Sequence, residues 1–198
     1  MREMRKLTIA VALFATNALV MNAYANSGHW PIVSPIKGSI YKIGDFLPAT
    51  NLNNPQQGIP YKYYQFKEEL NNVDSISKLA TVSTGIASII DLSKTTREEN
   101  YAFIFEGYVK IPSDDNYVFS INSDDGSKLV IDDKVEILND GYHAEEEVEK
   151  EVKLAAGFHK IKVFFWQGGA EYALSVSWRS NKIPKTSLPA SVLFYDKK

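Results

Sequence analysis

From Tyr101 to Trp178 the chain is written in period two. Tyr101, Phe103, Phe105, Gly107 and Val109 fall on one side of a run that ends at Ile111. After Pro112-Ser113-Asp114-Asp115-Asn116, Tyr117, Phe119 and Ile121 take the alternation up again. It returns in Leu129 and Ile131, in Val148, Val152 and Leu154, in His159, Ile161, Val163 and Phe165, and in Leu174, Val176 and Trp178. Successive side chains of an extended strand point to opposite faces, so each run offers one apolar face and must lay it on another sheet. Between the runs stand turn residues: Asp132-Asp133-Lys134, Ala155-Ala156-Gly157 and Gln167-Gly168-Gly169. No window sustains a helical period. Many short strands with turns about every ten residues predict an all-β fold, an antiparallel β-sandwich with no long helix. Leu129, Ile131, Val163 and Trp178 are expected in its core. Tyr101 to Ile121 reads as strand, turn and strand, a hairpin.

The chain has no cysteine, so the sandwich must hold by its core alone, without a disulfide, thiolate zinc site or thiol nucleophile. Its 24 aromatic residues (3 Trp, 11 Tyr and 10 Phe) supply that core with β-favouring bulk. Residues 1–25 read as a secretory signal: Arg2, Arg5 and Lys6, then an apolar stretch from Leu7 to Met21, then Ala23-Tyr24-Ala25. Removing them from 198 residues leaves 173, and removing their net +2 from the overall −2 leaves −4. That balance argues against nucleic acid as a partner. No apolar run in the remainder is long enough to span a membrane. Residues 26–57, with Pro31, Pro35, Pro48 and Pro55 and several glycines, read as an extended segment with a short strand near Ser39 to Ile43. The domain proper is expected over 58–198. Tyr61 to Phe66 and Leu79 to Ile89 read as strands, with Asn71 to Ser77 and Ser93 to Asn100 as polar connections.

The run Ser123-Asp124-Asp125-Gly126-Ser127, followed by Leu129 to Lys134, closely resembles the signature of the protective-antigen-type β-sandwich. So do Asn139-Asp140-Gly141, Leu154-Ala155-Ala156-Gly157-Phe158-His159 and Leu174 to Trp178. The likeness covers about Gly58 to Phe194 and implies that fold. Gly58-Ile59-Pro60-Tyr61-Lys62-Tyr63-Tyr64 is most similar to the module appended to secreted bacterial β-hexosaminidases. In the adhesin branch of the family an Asp-Asp pair joined by a cis peptide holds calcium, and the ion grips sugar hydroxyls. The resemblance carries that role to Asp124 and Asp125. The family's second loop supplies an asparagine; here the matching stretch is Gln167-Gly168-Gly169-Ala170, so Gln167 stands as the third ligand.

Without the family, an adjacent pair of carboxylates on a loop suits calcium, which takes hard oxygen ligands. The competing reading is that both aspartates only bond loop amides, as Asp does in turns. Sugar sites add an aromatic platform, for which Tyr142 and Trp166 are candidates, beside His143. Against this, Trp166 and Phe164 would fill a second core layer, since aromatics dominate cores. His29, His143 and His159 share no ligand spacing. No G-x-S-x-G elbow occurs. Glu145, Glu147, Glu149 and Glu151 read as a solvated strand face that blocks edge pairing. These features predict an exported, non-catalytic carbohydrate-binding module, calcium-assisted, in the periplasm or outside the cell. Its expected partner is a glycan or glycoconjugate. The alternative is a structural or protein-interaction module that meets an envelope protein and binds no glycan.

Overall fold

A computed structural model describes residues 45–198. The signal expected at 1–25, the strand expected at Ser39 to Ile43, and His29 lie outside the described residues. Among those described, twelve strands form two antiparallel sheets. In the larger sheet, β4 (Tyr101–Ile111) and β9 (Gly157–Gln167) pair along their whole length. Beyond β9 lie β6 (Ser127–Ile131) and β7 (Val135–Asn139). Beyond the first half of β4 lie β2 (Ile59–Gln65) and then β3 (Thr81–Ala87). Beside its second half lie β12 (Leu193–Asp196) and β1 (Pro55–Gln57). The smaller sheet runs β11 (Thr186–Ser187), β10 (Ala173–Ser180), β5 (Asp115–Asp124), β8 (Glu146–Leu154). β1 thus lies inside the segment expected to be extended with a strand only near Ser39 to Ile43, and Leu47 and Thr50 are bridged to Leu154 and Phe158.

The alternation puts the anticipated faces inward. Tyr101, Phe103, Phe105 and Phe165 of the large sheet meet Tyr117, Phe119 and Trp178 of the small one in a single cluster. Leu129, Ile131 and Val163 are fully buried and Trp178 is 4% exposed. Each such side chain contributes about 1.5–3 kcal/mol relative to leaving it in water. Trp178→Ala is worth about 3–5 kcal/mol on the same grounds.

Two expectations need correction. β4 and β5 are not a hairpin: β4 pairs with β2, β9 and β12, β5 with β8 and β10, and residues 112–114 carry the chain from one sheet to the other. A hairpin and a crossing share the same alternation, because both keep the apolar face on the core. Nor is Asn71 to Ser77 merely a polar loop. Val73–Lys78 forms a 3₁₀ turn capped by the Asn72 side chain, and Val73 and Ile76 are buried. They cover the outer face of the large sheet, where Ala102, Ile104, Phe164 and Trp166 form a second apolar layer with Tyr64, Phe66 and Leu70.

The small sheet ends at β8, whose glutamates are exposed. Glu149 is paired with Arg179 and Glu147 with Lys185, both partners lying beyond β5. The charged face guards this edge as expected.

Candidate functional site

Three crossings between the sheets converge on one end of the sandwich: Asp124 to Gly126 after β5, residues 140–145 after β7, and Gly168 to Tyr172 after β9. They are tied together residue by residue. The Asp125 backbone N–H donates to Gln167 Oε1 at 3.0 Å, and the Gly168 N–H donates to Asp125 Oδ2 at 2.9 Å. Gln167 Nε2 donates to the Gly169 and Glu171 carbonyls at 2.7 and 2.8 Å. Beneath the pair, Ser123 and Ser127 share a buried hydroxyl contact at 2.6 Å, and Asn139 Nδ2 donates to Ser123 and to the Glu146 carbonyl. The Asp124–Asp125 peptide is cis, as the resemblance implied.

The two aspartates differ. Asp125 is 5% exposed and gives one oxygen to the Gly168 amide. Asp124 is half-buried, and among the described residues its carboxylate accepts no hydrogen bond. Burial, the adjacent Asp125 charge and the more distant Glu171 and Glu145 raise its pKa, against the opposing pull of His143. Partial burial works against a charged His143, but its ring nitrogens face the Ala144 and Asn139 carbonyls at 2.8 and 3.3 Å. Those bonds and the Glu146 and Asp125 charges lift its pKa. The site is therefore a pocket of underpaired negative charge, partly countered by one imidazole.

Two of the expected ligand contacts are redirected. Gln167 is fully buried with both ends of its amide spent, the oxygen on Asp125 and the nitrogen on its own loop. It positions the Asp pair and the following loop. Trp166 is also fully buried, in the second apolar layer, so its ring offers solvent no face. Its Nε1 donates to Asp140 at 3.0 Å. Tyr142 is 55% exposed and stands edge-on to Trp166, ring centroids 4.6 Å apart, with its ring over Gly168. A side chain at Gly168 would collide with that ring. Of the two aromatics anticipated here, Tyr142 is the one presented outward and Trp166 its buttress. Burial and the Glu69 and Asp125 charges raise the Tyr142 pKa.

Asp140 was quoted only as part of a motif, yet it joins the loops. Its carboxylate accepts from the Val73 and Gly141 amides and from Trp166. Gly126 has no room for a side chain, since a Cβ would meet Trp166 Nε1 and Asp140 Oδ1. The signal for both was the closely spaced Asp-Gly steps; what they touch was not in the string.

No curated protein matches the chain. Solved structures do. The PA14 domain of MpAFP antifreeze protein is 17% identical with a TM-score of 0.62, covering 74% of this chain and 94% of its own. A PA14 sugar-binding domain from an RTX adhesin is 16% identical with a TM-score of 0.60, covering 70% and 98%. The A domain of epithelial adhesin 6 from Candida glabrata, solved with Galβ1-3GlcNAc, is 14% identical with a TM-score of 0.56, covering 75% and 92%. These likenesses establish the sandwich. The PA14 domain family matches residues 55–191, the stretch that holds both sheets apart from β12 and all three converging loops, and the chain belongs to that family.

Proposed function

We propose that this domain binds carbohydrate without transforming it, through a calcium ion held at Asp124 and Asp125. The observation that carries the reading is the carboxylate of Asp124, which has no hydrogen-bond partner among the described residues and stands beside the almost fully buried Asp125. Two adjacent like charges in a partly desolvated loop cost free energy until a cation joins them. Asp125 is bonded to the Gly168 amide, and the Asp124 carboxylate to no donor among the described residues.

The donor set fits a hard cation: two carboxylates and loop carbonyls, with no thiolate or imidazole required. Asp124 and Asp125 would hold the ion, with carbonyls of the Gly168–Ala170 loop in place of Gln167. Bound calcium supplies a centre that vicinal sugar hydroxyls can ligate. Tyr142 offers the flat apolar face on which a sugar ring packs, held upright by Trp166. Gln167 and Asp140 keep the three loops in register. Sugar binding by the RTX adhesin domain and the sugar-bound Candida adhesin domain support the reading. Export by the leader expected at residues 1–25 would fit a role among surface or envelope glycans.

A glycan array read with calcium and with EDTA tests this. Signals lost on chelation and in Asp125→Asn support it. Signals absent in both conditions favour the protein-interaction reading, for which the uncharged edge strand β3, with Val82 and Ile86 exposed, is the natural surface.

A further inference from the structure

We infer that the binding end selects sugars by charge, holding ammonium-bearing sugars most tightly, neutral ones less, and sugars carrying carboxylate or sulfate least. The inference rests on the glycan reading above and adds the class of ligand. Four exposed glutamates border the binding end, each from a different part of the chain: Glu145 before β8 and Glu171 before β10 near Asp124, Glu69 after β2 near Tyr142, and Glu99 before β4 near Gly169. Glu99 Oε2 lies 3.5 Å from where a Cβ on Gly169 would stand. Glu145 Oε1 accepts from Asn122 Nδ2 at 2.5 Å, beside the last residues of β5. Glu171 and Glu145 act on Asp124, and Glu69 acts on Tyr142, the proposed platform.

At the centre lies Asp125, 95% out of solvent by its 5% exposure, with Oδ2 on Gly168 and no partner for Oδ1 among the described residues. Oδ1 is therefore the Asp125 oxygen left to a ligand, beside the Tyr142 ring. A divalent ion offsets Asp124 and Asp125 alone. The four glutamates remain, opposed by His143, so the field over a sugar seated on Tyr142 is negative. Charges this exposed act over about one Debye length, about 8 Å in physiological salt, and lose their effect as salt rises.

The test uses the full chain with calcium, on sets of oligosaccharides that share one hydroxyl configuration and differ only in an amino, hydroxyl or carboxylate group. At low ionic strength (about 20 mM) the amino member should bind about tenfold more tightly than the carboxylate member, with the hydroxyl parent between them. In 0.5 M salt, used as the screening condition, the spread should shrink to about twofold. Glu69→Gln with Glu171→Gln should cut the low-salt spread to about threefold while leaving the calcium-induced rise in Tm unchanged. Carboxylate members that bind as well as their parents, or an order indifferent to salt and to the double variant, overturn the inference and leave the glycan reading standing. No binding to any sugar, with the calcium response intact, overturns both.

Discussion

Asp124-Asp125 and Asp132-Asp133 are the same dipeptide at the ends of strands, and the fold treats them oppositely. Asp132 and Asp133 make the tight turn of the β6–β7 hairpin, both with φ near +50° (51° and 53°). Asp tolerates that left-handed region better than most residues. Asp132 then spends both oxygens: Oδ1 accepts from the Lys160 amide at 2.8 Å and Oδ2 meets His159 Nδ1 at 2.6 Å. His159 is fully buried and its other ring nitrogen meets the Ala155 carbonyl at 2.8 Å. Asp133 pairs with Lys160 at the surface. Asp114 and Asp115, at a crossing between the sheets, accept from the Ala156 amide and from Asn116 and Asn181, while Asp115 Oδ2 is buried without a hydrogen-bond partner among the described residues. A hairpin turn closes on its own sheet and finds amides there. The Asp124-Asp125 step crosses between sheets, where the chain leaves one ladder before joining the next, and Asp124 is left facing other loops. Asp132 is satisfied by its own sheet, whereas the carboxylate of Asp124 has no hydrogen-bond partner among the described residues and is the one left available to a ligand.

The largest effect should come from breaking the satisfied pair. Asp132→Ala leaves Nδ1 of a fully buried histidine and a strand amide without partners, and should cost about 3 kcal/mol in urea unfolding. Asp124→Ala, measured the same way without calcium, should fall within about 0.5 kcal/mol of the parent. Equal losses at the two sites would erase the distinction.

Calcium sharpens the contrast next. At a hundredfold excess over its dissociation constant the ion should stabilise the domain by about 2.7 kcal/mol, read as a rise in Tm that EDTA reverses. Asp125→Asn should abolish it and Asp133→Asn should not. A melting curve unmoved by millimolar calcium ends the metal proposal.

A smaller loss, about 1–3 kcal/mol, is expected for Gly126→Ala, because the new methyl would press on Trp166 and Asp140. Unchanged stability would mean that the three loops are not locked as described.

The smallest effect concerns pH. The pKa of Asp124 is raised in the folded state, chiefly by burial and then by Asp125. A raised carboxyl pKa means that the fold binds the proton more tightly than the unfolded chain does. Its contribution is therefore fully present below the ordinary Asp range, about pH 4, and is lost as pH rises through the folded value. Without calcium, Asp124→Asn should accordingly be slightly more stable than the parent at neutral pH, with the advantage fading on acidification. With calcium the order should reverse. A parent that is the more stable at neutral pH without calcium would contradict the charge arrangement.

The sequence alone determined the architecture and most of the core. Alternation over Tyr101 to Trp178 places Phe103, Phe119, Val163 and Trp178 inward whatever the strand order, because the period of a strand is a local property of the backbone. The Asp124-Asp125-Gly126 motif likewise marked the loop of interest, and the alternating glutamates marked a guarded edge. Strand partnership was not legible: residues 112–114 look like a hairpin turn and are a crossing, since alternation records which face is buried and not which neighbour is paired. The second layer on β4 and β9 was legible for Phe164 and Trp166 as one of two readings, but what covers it was not. Trp166 faces away from the main core, and the 3₁₀ turn at Val73–Lys78 with Tyr64, Phe66 and Leu70, from far away in sequence, turns it from a platform into a support. Gln167 has the chemistry of a ligand, but the amide of Asp125, 42 residues earlier, claims its oxygen. What a polar atom can bind depends on which donors already surround it, and that is settled when distant loops meet.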